Sequence, residues 1–141
     1  MKRRRNVSIL PRDYFNTGNA LHYSLRKAAI KAKLADHDIE THALDAVSKA
    51  FSVPIDDILG RTRVRRIAEA RHAYFSIMRN VSRMSFVDIG SIMDRDHSTV
   101  IHSCNTVSNL LETDWTFKEL YTLAIDEMRD EIKKQHNHES V

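Results

Sequence analysis

The side chains between residues 95 and 109 have the types and spacing best suited to chemistry. Apolar residues at helical spacing predict a helix from about His97 to Leu111. Its predicted buried face consists of Val100, Ile101, Cys104, Val107 and Leu111. Its predicted outward face carries uncharged hydrogen-bonding side chains, namely Ser98, Thr99, His102, Asn105, Thr106 and Asn109. A merely solvated face normally uses Lys and Glu, whereas short polar groups suit base edges in a major groove about 12 Å wide. The pattern therefore favours DNA reading.

A shorter helix precedes this one across a very short polar turn, residues 94–96. Ser85 and Asp88 have capping-box spacing and predict its start. Its predicted inward residues are Phe86, Ile89 and Ile92. Two helices joined by so short a turn, after a long arginine-bearing helix, are typical of a helix-turn-helix.

The long helix is predicted from about Thr62 to Val81, in a segment rich in arginine. The segment has arginines at positions 61, 63, 65, 66, 71, 79 and 83, and Glu69 is its one acid. Arg65, His72 and Arg79 recur every seven residues, which predicts a single stripe because the drift is only about 20° per heptad. A stripe of this kind suits a phosphate backbone, with salt-dependent and largely sequence-blind affinity. A solvated surface is the alternative.

The remaining elements are also predicted to be helical. A helix from Thr17 to about Leu34 has Leu21, Leu25, Ala28, Ala29 and Ala32 on one side, and it is either a docking helix of the core or a second basic DNA contact. Residues 37–40 are predicted to be a connector, followed by a helix to Phe51 and a short turn of helix over 54–59. Thr116 and Glu119 form a capping box that opens the last helix, in which Trp115 and Tyr121 are expected to pack into the core.

Composition excludes several classes of function. The three glycines (18, 60 and 90) are dozens of residues apart, so no phosphate-cradling loop is present and no nucleotide is expected. Cys104 is the single cysteine and leaves no internal disulfide. His97 and His102 are five residues apart and point in different directions on a helix, which argues against a metal site. No cofactor and no enzymatic activity are expected, and the absence of a membrane-length apolar stretch predicts a cytoplasmic, nucleoid-associated protein.

Charge is sorted along the chain. The first dozen residues carry five positive charges and no acid, which suggests a flexible basic arm. From 112 to 131, seven acids stand against Lys118 and Arg129. Such sorting is expected when one face meets a polyanion and another does not. The acidic surface would suit a protein partner, although a solvated surface explains it as well.

Residues from about 42 to 130 resemble the C-terminal DNA-binding domain (domain IV) of the bacterial replication initiator DnaA. The strongest match is residues 95–104, RDHSTVIHSC, which is close to the family signature RDHTTVLHAC. Residues 67–71, IAEAR, and the Ile89-Gly90 pair support it. The resemblance implies an all-α, Trp-repressor-like helix-turn-helix bundle, here with an N-terminal helical and basic extension.

The resemblance also implies roles for individual residues. Major-groove reading falls to Asp96, His97, Ser98 and Thr99, with His102 nearby, and minor-groove insertion falls to Arg63. Arg71 and Arg79 match positions that grip the backbone or flanking bases, and Arg65 belongs to the same stripe. His72 stands where glutamine is common, and Asn105-Thr106 stand where Arg-Lys is frequent, so phosphate binding should be weaker. Arg61 and Arg66 would compensate in part.

The predicted organisation is a basic arm and helix over 1–40, a DnaA domain IV-like domain over 41–133 and a disordered tail over 134–141. We expect a freestanding DNA-binding domain without the ATPase module, acting on double-stranded DNA at DnaA-box-like sites to regulate replication or transcription. The alternative is a protein-interaction module that inhibits or recruits a replication initiator. A nuclease or metal enzyme is disfavoured.

Overall fold

The computed structural model describes residues 17–139, and these residues form seven helices and no strand. In chain order the helices are α1 (Thr17–Leu34), α2 (Asp38–Phe51), α3 (Ile55–Leu59), α4 (Arg65–Asn80), α5 (Phe86–Met93), α6 (His97–Thr113) and α7 (Trp115–Glu139). The predicted all-helical, helix-turn-helix fold is confirmed. None of the described helices is long and apolar enough to cross a membrane. The predicted basic arm, the first dozen residues, lies outside the described residues.

The core is built around α4, which packs against α2 and α6, while α7 covers α2. Within α4, a continuous run of fully buried side chains includes Tyr74, Phe75, Ile77 and Met78. The Phe51 ring of α2 meets the Phe117 ring of α7 edge-on at 5.7 Å. Because every residue from Ala73 to Met78 is buried, α4 is the scaffold on which the other helices are placed.

Local sequence signals set several helix boundaries. The Ser85 hydroxyl accepts the Asp88 backbone N–H at 3.0 Å, which starts α5 as predicted. Pro54 and Gly60 flank α3. The prediction for α7 was wrong in detail: the Asp114 carboxylate accepts the Phe117 N–H at 3.1 Å, so this helix begins before Thr116.

Helix α1 belongs to the same packed structure, but its predicted apolar side was wrong. Leu21 and Leu25 are 59% and 61% exposed, while Arg26, Ile30 and Leu34 are buried. The reason is that α1 lies over the ends of α3 and α5, where helix carbonyls without intrahelical partners attract a guanidinium. The predicted boundary at residues 40 and 41 falls inside α2.

The last helix also departs from expectation in two places. It continues to Glu139, so residues 134–139 are helical, whereas a disordered tail was predicted there. The Gln135 side chain lies 2.5 Å from the His42 ring nitrogen of α2, which ties this end to the bundle. Trp115 is 71% exposed, contrary to expectation, whereas Tyr121 is buried and its hydroxyl lies 2.9 Å from the Ser76 hydroxyl.

Candidate nucleic-acid interface

The turn between α5 and α6 is tight because Gly90 lets the two backbones approach. The Arg95 N–H donates to the Gly90 carbonyl at 2.8 Å. A Cβ on Gly90 would lie 2.5 Å from the Arg95 carbonyl oxygen, closer than real Cβ atoms come to backbone. Asp94 makes the turn in the left-handed region at φ 55°, where aspartate is tolerated better than most residues. Glycine at position 90 therefore fixes where α6 begins.

The first turn of α6 brings together the four residues that were predicted to read the major groove. Asp96, His97, Ser98 and Thr99 are all exposed there. The Ser98 hydroxyl donates to the Asp96 carboxylate, and this bond holds the pKa of that carboxyl below its usual value, with the His97 ring assisting. The turn thus offers an ionised acceptor beside hydroxyl and imidazole groups, a set able to pair with base edges.

Further along α6 the outward face differs from the prediction at one position. His102 and Asn105 are exposed, and half-buried Thr106 donates its hydroxyl to the His102 carbonyl at 2.9 Å. Ile101 was assigned to the buried face but is 37% exposed, one turn beyond His97. Ser103 is buried instead. The exposed Ile101 therefore gives the outward face of α6 an apolar group suited to contact with a thymine methyl.

His72 does not face outward as a phosphate contact; it joins α4 to α6. Its Nδ1 lies 2.8 Å from the Ser103 hydroxyl, and its ring meets the His102 ring edge-on at 6.2 Å. Burial lowers the pKa of His72, and the neighbouring His102 and Arg71 lower it further. The imidazole is therefore neutral at pH 7 and contributes packing rather than positive charge.

Arg71 was assigned to the DNA backbone, and its position in the structure contradicts this role. Only 6% of the residue is exposed, and its guanidinium donates to the carbonyls of Asp57, Ile58 and Thr62 at 2.8–2.9 Å. Burial lowers its pKa to about 10. Arg71 closes the C-terminal end of α3, where helix carbonyls have no intrahelical partner.

The other members of the predicted stripe also have partners inside the molecule. Arg79 lies over the Phe86 ring at 4.3 Å and donates to the Met84 carbonyl. Arg65 is exposed and bonds to Glu69 at 3.1 Å. With His72 neutral, the heptad spacing does not produce a line of free cations.

The arginines before α4 are exposed, as a DNA contact requires. Arg61 donates to the Asp94 carbonyl at 2.8 Å, which places the loop before α4 beside the turn of the helix-turn-helix. Arg66, in the first turn of α4, is also exposed and donates to the carbonyls of Phe51 and Ser52. Arg63 makes no hydrogen bond or ion pair with residues 17–139 and is free to reach a groove.

Two arginines near the turn escaped the sequence interpretation. Arg26 of α1 donates to the Asp94 carboxylate at 2.9 Å, and Arg95 donates to the Gly60 carbonyl. Burial lowers the pKa of Arg95 to about 9, and three neighbouring arginines add to the effect. Arg95 could have been suspected, since it opens the sequence match over 95–104, whereas nothing in the spacing of α1 marks Arg26.

The acidic C-terminal segment is partly neutralised within the chain. Asp114 lies 4.0 Å from Arg65, Glu127 lies 3.9 Å from Lys49, and Glu131 lies 3.6 Å from Lys134. Among the described residues, no group of three or more His, Cys, Asp or Glu side chains is placed to hold a metal ion.

A short helix, a glycine-tight turn and a longer helix with an exposed polar first turn define a DNA-binding helix-turn-helix, which is a binding unit and not a catalytic one. The family described as bacterial dnaA protein helix-turn-helix matches residues 41–107. This part of the chain is therefore similar to the DnaA helix-turn-helix, in agreement with the sequence match over residues 95–104.

Several curated relatives carry the same similarity. The chromosomal replication initiator protein DnaA of Flavobacterium psychrophilum is 39% identical over 74 residues, which are 52% of this chain and 16% of that protein. DnaA of Neisseria meningitidis serogroup C is 38% identical over 87 residues, 61% of this chain and 16% of that protein. DnaA of Bifidobacterium animalis subsp. lactis is 30% identical over 123 residues, which are 82% of this chain and 20% of that protein. The chain thus spans a small part of these relatives.

Proposed function

We propose that the protein reads double-stranded DNA at DnaA-box-like sites and thereby regulates replication or transcription. The observation that carries this proposal is the exposed first turn of α6, where Asp96, His97, Ser98 and Thr99 stand together at the tip of the helix-turn-helix. A recognition helix contacts base edges with its N-terminal residues. Similarity to chromosomal replication initiators supports the kind of site and the process.

The chemistry of the proposed contacts follows from the groups present. The ionised Asp96 carboxylate accepts a cytosine amino group, and the Thr99 side chain offers a hydroxyl and a methyl group. Arg63 enters the adjacent minor groove, because its loop is bound to the turn through Arg61 and Asp94. Asn105 and Thr106 face the duplex without charge, so phosphate binding rests on Arg61 and Arg65.

Fluorescence anisotropy tests the proposal with a duplex that carries a DnaA box and a scrambled duplex of equal composition, at several salt concentrations. We expect box-selective binding, and we expect a His97→Ala Thr99→Ala variant to lose most of that selectivity. Each lost base contact is worth about 1–3 kcal/mol, so the double variant should bind the box at least about tenfold more weakly.

Thr113→Ala is the matched control, since Thr113 is an exposed residue at the opposite end of α6, about 24 Å from His97 along the helix. It should bind like the parent chain. Equal and steeply salt-sensitive binding to both duplexes would leave only backbone contact and contradict site-specific reading.

A protein-interaction role is the second candidate, favoured by one observation on α7. Trp115 and Leu123 are 71% and 53% exposed, and exposed aromatic and aliphatic groups of this size are typical anchors of protein interfaces. Capture of a purified replication initiator by the chain, lost on Trp115→Ala and kept by His97→Ala Thr99→Ala, would favour this role. No capture by the parent chain would contradict this role, and loss with the second variant but not the first would exclude the exposed α7 residues as the binding surface.

A further inference from the structure

Three separate parts of the chain converge on Asp94, the residue that makes the turn between α5 and α6. Its carboxylate lies 2.9 Å from the Arg26 Nε of α1 and 3.6 Å from Arg61 in the loop before α4. Its backbone carbonyl accepts from Arg61 at 2.8 Å. Asp94 is two residues before Asp96, and Arg61 is two residues before Arg63. One carboxylate therefore joins the major-groove turn to the minor-groove loop.

Arg26 is committed to this junction with its whole guanidinium. Besides the Asp94 carboxylate, it donates to the Leu59 carbonyl at 2.9 Å and to the Met93 carbonyl at 3.3 Å. Its side chain is 5% exposed, while that of Asp94 is 60% exposed. Leu59 ends α3 and Met93 ends α5, so the fork clamps two helix ends at once. A lysine has no planar fork with which to do this.

We infer that Arg26 is a positioning residue for DNA reading, which sets the spacing between the first turn of α6 and the Arg63 loop through Asp94. The inference rests on the proposed function and adds a role for α1, a helix outside the matched residues 41–107. Reading two grooves at once requires contacts held within about 0.5 Å, and neither the turn nor the loop is long enough to carry a core of its own. The Lys33 ammonium donates to the Ser91 carbonyl at 3.0 Å and secures α1 to α5 in the same orientation.

The test compares Arg26→Met with Lys31→Met on the same helix. Both remove one positive charge from α1, but Lys31 pairs with Asp56 at the surface and does not touch the turn. We expect Arg26→Met to lose about tenfold in affinity for the box duplex, the equivalent of one weakened base contact, with less than about threefold loss on the scrambled duplex. Lys31→Met should lower both affinities equally.

Asp94→Asn is a second variant that keeps the Arg26 contacts to both helix ends and tolerates the left-handed turn. It should show the same loss of selectivity, and its loss should not add to that of Arg26→Met in the double variant. Arg26→Lys should not restore selectivity. Parallel loss of affinity on both duplexes in the folded Arg26→Met and Asp94→Asn variants would overturn the inference and leave Arg26 a structural contact. If Arg26→Met does not fold, Asp94→Asn decides.

Amide hydrogen exchange without DNA separates this inference from the proposed function. We expect residues 94–99 to exchange faster in Arg26→Met and Asp94→Asn than in the parent chain, with α2 and α7 unchanged. If the parent chain binds no box DNA, the proposed function fails, and hydrogen exchange alone decides whether the contact between Arg26 and Asp94 holds the turn. If residues 94–99 exchange at the same rate in both variants as in the parent chain, the positioning role of Arg26 is overturned.

Discussion

At the scale of single residues, the contacts of an arginine in the fold, and not its position in the sequence, decide whether its charge is available to a partner. The carbonyls at the end of α3 and just after it, residues 57–60, accept hydrogen bonds from Arg26, Arg71 and Arg95. Arginine is suited to this because its planar fork satisfies several acceptors and its charge complements the negative end of a helix. A count of positive charges along 61–83 therefore overstates the charge available to DNA.

Arg71→Ala should destabilise the fold. The change leaves three carbonyl groups without their donor in a site that is closed to water, and we expect the free energy of unfolding to fall by about 3 kcal/mol. Urea denaturation followed by circular dichroism measures it. Arg63→Ala, at an exposed arginine without a described partner, should change stability by less than about 0.5 kcal/mol. Equal stabilities of the two variants would show that the Arg71 contacts are not formed.

His72 should make the stability of the fold depend on pH. Its pKa in the folded chain lies below the value of about 6.5 that it has when unfolded, so the unfolded chain binds the proton first as pH falls. Its contribution is therefore complete above about pH 6.5 and is lost as pH falls through the lowered folded-state pKa. His72→Gln keeps a partner for Ser103 and should remove this dependence. Urea midpoints at pH 7.5, 6.5 and 5.5 measure it, and parallel losses in both chains would contradict the assignment.

At the scale of elements, helix existence was predictable and helix partners were not. The periodicity of α4 and α6, Pro54 and Gly60 around α3, and the Ser85 cap are local signals that the structure follows. The inward face of α1 was predicted wrongly because the periodicity of apolar residues predicts the face that packs on an apolar surface. Helix α1 instead packs on the ends of two helices, where Arg26 binds carbonyls that have no partner within their own helix. Trp115 was misplaced because residue type does not reveal which side of the first turn of α7 faces the core, where Phe117 is buried instead.

Gly90→Ala tests the close approach between α5 and α6. The added Cβ meets the Arg95 carbonyl at 2.5 Å, and since this is backbone, the start of α6 must shift. We expect a loss of about 1–3 kcal/mol in stability from overpacking, together with loss of box selectivity. Ser91→Ala, at the neighbouring exposed position, should do neither. Parent-like selectivity in Gly90→Ala would mean that the turn tolerates a shift, and that the position of α6 is not critical.

At the scale of the whole molecule, part of the sorted charge of the sequence is neutralised or buried within the chain. Acids at 114, 127 and 131 have basic partners within the chain, and Arg71 is hidden. What remains is an exposed polar turn with Arg63, which has no partner among residues 17–139, in the neighbouring loop, and this suits selective reading more than general attraction to a polyanion. The motif over 95–104 made the position of the exposed turn predictable, while the contacts of Arg26 with Asp94, Leu59 and Met93 became visible only in the three-dimensional packing.

Single base-pair substitutions across the box, measured by anisotropy with the parent chain at fixed salt, test the central claim most directly. If the first turn of α6 reads bases, a few adjacent pairs should each cost about 1–3 kcal/mol when changed, while flanking pairs cost little. The sensitive pairs should become tolerant in the His97→Ala Thr99→Ala variant. A flat profile, with every substitution bound as tightly as the box, would contradict base reading by this domain.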